Sequence, residues 1–349
     1  MEIKLNYKYI ISLLNMVSEN CSKILVKAPL FNLNLIEFNY MNLDYFKIID
    51  SDEYNSYIYS IIYGVNKKVM DEIPSYRHFI DALLISGIIA PRNIENILKY
   101  IEQQLEYRRI DPLKYPKPFI LGLDTNVLYL NFISNFLDRL REKPMIIISD
   151  SVVKEISGKI DKKVRDISSL GKIVLRNILS YKGYLYNGME SFRARRALIA
   201  YSELKDVEEK YVTKRISGKC CGDRKIVESY SNFVRDSRYS LTLLTFDEKI
   251  RGYSSMRGIS SIYIEPPISN SYSLNYRNLI KLLYILSIYF IAISIRCESY
   301  TIEVKSIWSG KRLEDWLNKN VLINTNVEEI KEIRDRAEKI LQLISRTNQ

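Results

Sequence analysis

The sequence predicts an α/β protein. A parallel sheet flanked by helices spans residues 118–266, a mostly helical region precedes it, and an α+β extension follows it. Three observations predict this. Short apolar runs alternate with amphipathic segments through the middle of the chain, as a parallel sheet covered by helices requires. The stretch Asp111-Pro112-Leu113-Lys114-Tyr115-Pro116-Lys117-Pro118 breaks regular structure three times, because proline lacks a backbone donor and restricts the residue before it. Pro266-Pro267 then closes the middle segment. The regions expected are therefore 1–115, 118–266 and 267–349.

Within the first region, Tyr9, Ile10, Leu13, Leu14 and Val17 recur at helical spacing, and residues 34–43 alternate like a strand. From Asp52 to about Arg109 the pattern turns helical, with Ser75 as an N-cap for 76–85 and Pro91 in the first turn before 94–105. In the middle region strands are expected at 119–123, at 145–149, at 241–246 and at 259–264. The last region reads as a helix over 274–289, strands near 291–295 and 300–307, and charged helices over 311–317 and 327–345. The longest charge-free apolar stretch runs from Leu282 to Ile295, fourteen residues. A spanning helix needs roughly 18–20, so this stretch reads as a buried helix running into a buried strand.

The chain is 47% hydrophobic and 27% charged, the balance of a soluble globular protein. Its formal net charge of +11 implies an acidic partner. Residues 156–222 hold 15 lysines and arginines against seven acids, so most of the excess is concentrated in one segment. The four cysteines, Cys21, Cys220, Cys221 and Cys297, form no Cys-x-x-Cys pair and read as reduced thiols of a cytoplasmic protein. The N-terminus has no apolar core of the kind a signal peptide needs.

Four carboxylates stand out by context. Asp124 ends the apolar run Phe119-Ile120-Leu121-Gly122-Leu123, at the carboxyl end of a strand, where open α/β sheets place their ligand sites. Glu155 lies one helical turn past the apolar run 145–149, with Asp150 as its rival. Asp223 opens the amphipathic segment that continues through Ile226, Val227 and Tyr230. Asp247 ends the run Leu241-Thr242-Leu243-Leu244-Thr245-Phe246. Each has a plain alternative: Asp124, Asp223 and Asp150 as helix caps, Glu155 as a surface residue, Asp247 as a turn residue.

The ordered set resembles the PIN-domain nucleases. Their pattern is a strand ending in Asp-x-Asn, a Val-x-x-Glu helix, an Asp opening a later helix, and a Thr-x-Asp after a following strand. The resemblance covers residues 118–266. It departs from the pattern at Ser149-Asp150, where many members carry a proline, and in the long segment between Glu155 and Asp223. It implies a nuclease larger than the compact toxin-like members, leaving a 5′-phosphate and a 3′-hydroxyl.

Phosphodiester hydrolysis needs the transition-state charge neutralised and a water activated. Two divalent ions about 3.5–4 Å apart do both when several oxygen ligands converge on them. Carboxylates suit Mg²⁺ or Mn²⁺, so Asp124, Glu155, Asp223 and Asp247 are the expected metal ligands, oriented by Asn126 and Thr245. The single histidine, His78, reads as a packed residue and removes paired-histidine chemistry. No P-loop and no Gly-x-Ser-x-Gly sequence exists. Arg193, Arg195 and Arg196 follow Phe192, with Tyr184 and Tyr186 upstream, and Lys162, Lys163 and Arg165 form a second basic group. Both groups suit backbone phosphates, and tyrosine offers a stacking face for unpaired bases; a solvated helix face explains either equally well alone. The expected activity is Mg²⁺- or Mn²⁺-dependent hydrolysis of single-stranded or flexible RNA. The alternatives are a structure-specific DNA nuclease and an inactive RNA-binding scaffold in a larger assembly. No membrane partner is expected; the flanking regions suggest contacts with a second copy or another protein.

Overall fold

The computed structural model describes residues 2–18, 23–41, 43–63, 65–110, 113, 117–177, 184–219, 222–267, 272–297 and 300–325. Among these, the strands in chain order are β1 (Glu2–Asn6), β2 (Ile24–Ala28), β3 (Leu33–Phe38), β4 (Phe46–Ile48), β5 (Phe119–Leu123), β6 (Met145–Ser149), β7 (Thr213–Ile216), β8 (Ser240–Thr245), β9 (Ser260–Tyr263), β10 (Ala292–Cys297), β11 (Tyr300–Lys305) and β12 (Asn320–Thr325). They form two sheets in two compact units. The expected helix over 327–345, most of the proline-rich stretch, and Cys21, Cys220 and Cys221 lie outside the described residues.

The first unit combines residues 1–82, 163–192 and 274–349. Its sheet is antiparallel throughout, in the order β1-β12-β11-β10-β2-β3-β4. Alternation decides its faces: Ile3, Leu5, Val26, Ile293, Ile295, Ile302, Val304, Val321 and Ile323 are buried, whereas Lys4, Arg296 and Asn324 are exposed. The helix Tyr276–Tyr289 packs on β10 and β11 and is buried from Leu282 to Tyr289 without interruption. The apolar stretch from Leu282 to Ile295 is thus a buried helix turning at Ile291 (φ 72°) into a buried strand. No described helix is long and apolar enough to cross a membrane.

Two expectations need correction here. The flanks, read as separate regions, share one sheet, because β1 pairs with β12 and β2 with β10. Such long-range pairing leaves no local periodicity to read. Cys297, read as a reduced thiol, is disulfide-bonded; bonding depends on the approach of two Cβ atoms, which spacing along the chain does not show.

The second unit, residues 83–162 and 193–273, holds a parallel five-stranded sheet in the order β7-β6-β5-β8-β9. Helices connect successive strands, among them Asp150–Ile160, Phe192–Lys210, Asp223–Arg235 and Glu248–Met256. Every residue of β5 is buried, as befits a central strand covered on both faces. The order counted from the unit's own first strand is 3-2-1-4-5, so it reverses direction at β5, and the carboxyl ends of β5 and β8 are the switch point at which such sheets place their ligand sites. The basic segment 156–222, which the sequence sets apart by its charge, contributes β7 and the helix Phe192–Lys210 to this unit. On that helix Ala194, Ala197, Leu198, Ala200, Leu204 and Val207 are buried.

One buried side chain sets the carboxyl end of this sheet. The β5–β6 ladder is registered from Ile120↔Met145 to Gly122↔Ile147. Beyond it, the hydroxyl of Tyr230 takes over. It donates to the Leu123 carbonyl (2.7 Å) and accepts from the amides of Leu123 (3.1 Å) and Ser149 (3.3 Å). Gly122 admits the ring, since a Cβ there would lie 3.1 Å from a Tyr230 ring carbon. Tyr230→Phe leaves two buried amides without an acceptor and should cost about 3 kcal/mol. Urea unfolding should show a lower midpoint at unchanged slope; an unchanged midpoint would mean that water substitutes for the hydroxyl.

Candidate functional site

Because all five strands run parallel, their carboxyl ends lie along one edge of the sheet, and each of the four acids follows one of those ends. Asp124 follows β5 directly and N-caps the helix Thr125–Tyr129. Glu155 sits in the second turn of the helix after β6. Asp223 is the first residue of the helix after β7, and Asp247 caps the helix after β8.

Asp124 is only 1% exposed. Its Oδ1 accepts from the Thr125 amide (2.6 Å) and its Oδ2 from the Thr245 hydroxyl (3.0 Å). Burial pushes its carboxyl up to about 7, and the negative charges of Glu155 and Asp223 push the same way, against the Thr245 and Thr125 hydrogen bonds. Those three carboxylates therefore form one electrostatic cluster. Asp247 joins through Thr245, whose hydroxyl oxygen accepts from the Asp247 amide (2.9 Å).

The remaining contacts show how the cluster is held. Glu155 accepts from the Thr125 hydroxyl (2.9 Å) and from Lys159 Nζ (2.8 Å). Asp223 makes no hydrogen bond or ion pair with the described residues. The Asp247 carboxylate accepts from the Lys249 amide (2.8 Å), so its capping role is real. The loop ahead of Asp223 is fixed by Gly218, where a Cβ would lie 2.6 Å from Ser149 Oγ, and by Ser151, whose hydroxyl donates to the Lys219 carbonyl. Asp150 does not cap the helix after β6; Ser149 does, accepting from the Ser151 amide.

Among the described residues no group of three or more His, Cys, Asp or Glu side chains is arranged to hold a metal ion. The contacts above supply the reason: Glu155 is drawn to Lys159, and Asp247 is turned onto its own helix. The chemistry of the cluster still fits a cation, since Asp124 is buried beside two like charges and has no positive partner among the described residues.

Several expected residues are placed differently. Asn126 is exposed and does not orient Asp124; its neighbour Thr125 does, through its amide, while its hydroxyl holds Glu155. Thr245 bonds Asp124 and Asp247 as expected. Arg195 is 1% exposed and cannot meet backbone phosphates from the surface, because it lies on the inward side of its helix. Arg193 is exposed, and Arg196 lies with its guanidinium 5.6 Å over the Tyr129 ring. Lys162 and Arg165 are exposed; Lys163 pairs with Glu190 (2.9 Å). Tyr184 donates to Glu303 (2.6 Å) and carries Lys305 over its ring, so that ring is already engaged. His78 Nδ1 accepts from the Ser75 amide (3.1 Å), and its ring packs edge-on to Phe192.

No protein-family model matches the chain, and no curated protein matches it. Among solved structures it is similar to a domain of a functionally unknown protein from Methanocaldococcus jannaschii DSM 2661. The identity is 14% and the TM-score 0.26, covering 45% of this chain and 98% of that one. A likeness at that level carries nothing over to this chain.

The burial of Asp124 has a measurable consequence. Its folded value, about 7, lies above the unfolded value of 3.8, so its contribution to stability is complete below about pH 4 and is lost as pH rises through about 7. Asp124→Asn should abolish this loss and be more stable than wild type at pH 8, by on the order of 4 kcal/mol. Urea unfolding at pH 5 and pH 8 checks it; an equal pH dependence in the variant would assign the effect to other groups.

Proposed function

We propose that the parallel unit is a PIN-like nuclease that hydrolyses phosphodiester bonds of single-stranded or flexible RNA with the help of Mg²⁺ or Mn²⁺. The observation that carries the reading is Asp124: a carboxylate buried at the switch point of a 3-2-1-4-5 parallel sheet, coupled to Glu155 and Asp223. A structural cap does not need two further carboxylates beside it, and their mutual repulsion costs stability unless a cation relieves it. Asp124, Glu155, Asp223 and Asp247 would hold the ions. When bound, these supply charge neutralisation at phosphorus and activation of water. Thr125 and Thr245 fix the carboxylates, and Asp124, whose ionisation burial pushes up to about 7, would hold a cation in its deprotonated form. The strongly basic composition supports a polyanionic substrate.

A second reading, an RNA-binding scaffold without cleavage, is favoured by the Glu155–Lys159 ion pair and by the capping hydrogen bond that holds Asp247 on its own helix, with no three-acid group around an ion among the described residues. Cleavage decides between them. Wild-type protein in Mn²⁺ should cut single-stranded RNA, and Asp124→Asn or Asp223→Asn should reduce the rate at least about 100-fold. Both variants should bind RNA at least as well as wild type, since each removes a negative charge. Parallel assays on flap and duplex DNA separate the DNA-nuclease alternative. Wild type that cuts neither nucleic acid in Mn²⁺ sinks the nuclease reading and leaves the scaffold.

A further inference from the structure

Tyr129 ends the short helix that Asp124 caps. It is 8% exposed, and its hydroxyl has no hydrogen-bond partner among the described residues. Buried polar groups are nearly always satisfied, so an orphaned one calls for an explanation. Burial and the neighbouring Glu155 both push the phenol's ionisation up, so the group keeps its proton and stands as an O–H donor. Glu155 does not accept from it; its two oxygens accept from Thr125 and from Lys159.

Two cations pack on the same ring. Lys159 Nζ lies 5.3 Å and the Arg196 guanidinium 5.6 Å from its centroid. A shielded donor flanked by two positive charges is complementary to an oxyanion with acceptor oxygens to spare. Lys159 is the movable member: its side chain is 34% exposed and is tied to Glu155 by a single ion pair. A phosphate that reaches Lys159 would compete with Glu155 for it, so the way to the hydroxyl opens without a bound metal.

We propose that Tyr129, Lys159 and Arg196 form a phosphate subsite beside the acid cluster, which takes a backbone phosphate of single-stranded nucleic acid next to the one the acids face. For its substrate class this rests on the nuclease reading. Arg196 and Lys159 hold the phosphate charge, and the Tyr129 hydroxyl donates to one of its non-bridging oxygens.

Tyr129→Phe tests this cleanly, because it keeps the ring and both cation contacts and removes only the hydroxyl. An orphaned hydroxyl with no ligand and a hydroxyl awaiting one both predict a higher Tm, since an unsatisfied buried donor is lost. They part on binding. Fluorescence anisotropy with a fluorescein-labelled oligouridylate of roughly 10 nucleotides, in EDTA, should show about tenfold weaker affinity for Tyr129→Phe. Lys159→Gln should also bind more weakly and flatten the salt dependence by about 0.7 in slope. Wild-type affinity in both variants overturns the subsite, and does so alone if the wild-type protein still cleaves RNA in Mn²⁺. Wild type that neither binds the oligonucleotide nor cleaves RNA overturns both the subsite and the nuclease reading.

Discussion

A carboxylate withdrawn from water must be compensated, and much of the parallel unit is arranged around that demand at Asp124. Its two oxygens are met by an amide and a hydroxyl, both neutral, so the charge itself has no counterpart. Neutral donors offset part of the desolvation and hold the group in one rotamer, but they do not bring its ionisation back to the ordinary carboxylate range. Thr125 and Thr245 extend the restraint outward, the first to Glu155 and the second to Asp247. The geometry of three of the four acids thus passes through two threonines, Thr125 just after β5 and Thr245 at the end of β8.

The frame beneath this arrangement is equally economical. Parallel strands that diverge at their ends expose amides that only another polar group can satisfy. The Tyr230 hydroxyl fills that role between β5 and β6, and Gly122 and Ser149 are adapted to it. The helix carrying Tyr230 is the one Asp223 begins, so a single element both braces the strands and delivers an acid.

The legible parts of the fold were those written in local pattern. A buried parallel strand is a short apolar run, and β5, β6 and β8 are such runs, each followed by polar residues where the chain leaves the core. That is why Asp124, Glu155 and Asp247 stand out in the sequence as acids that follow strands, whereas Asp223 stands out only as the opening of an amphipathic segment. What local pattern cannot carry was missed. The edge strand β7 reads Thr213-Lys214-Arg215-Ile216, with two exposed charges and no apolar run. Arg195 was grouped with its neighbours by charge, although helical geometry turns it inward. Thr125 was passed over for Asn126 because one residue of helical rotation decides which of them faces the acids. Glycine at 218 was the available signal for the loop before Asp223, and only its close approach to Ser149 and Ser151 gives that signal meaning.

The antiparallel sheet also bears on how the chain matures. Lys27 in β2 pairs with Ser294 in β10, and β1 with β12, so the inner and edge pairings both join residues from far apart in the sequence. On a ribosome adding roughly 5–20 residues per second, β2 waits on the order of tens of seconds for its partner to be made. During that interval β2 and β3 form a nascent hairpin with one bare edge and an apolar face, the kind of surface that chaperones hold and that aggregates capture. The parallel unit waits less, since β5 meets β8 from Phe119 to Ser240 and its last strand, β9, is synthesised before β10. Vectorial synthesis therefore gives the acid-bearing unit its full complement of strands first, and leaves the other to close around whichever of its segments have been kept apart.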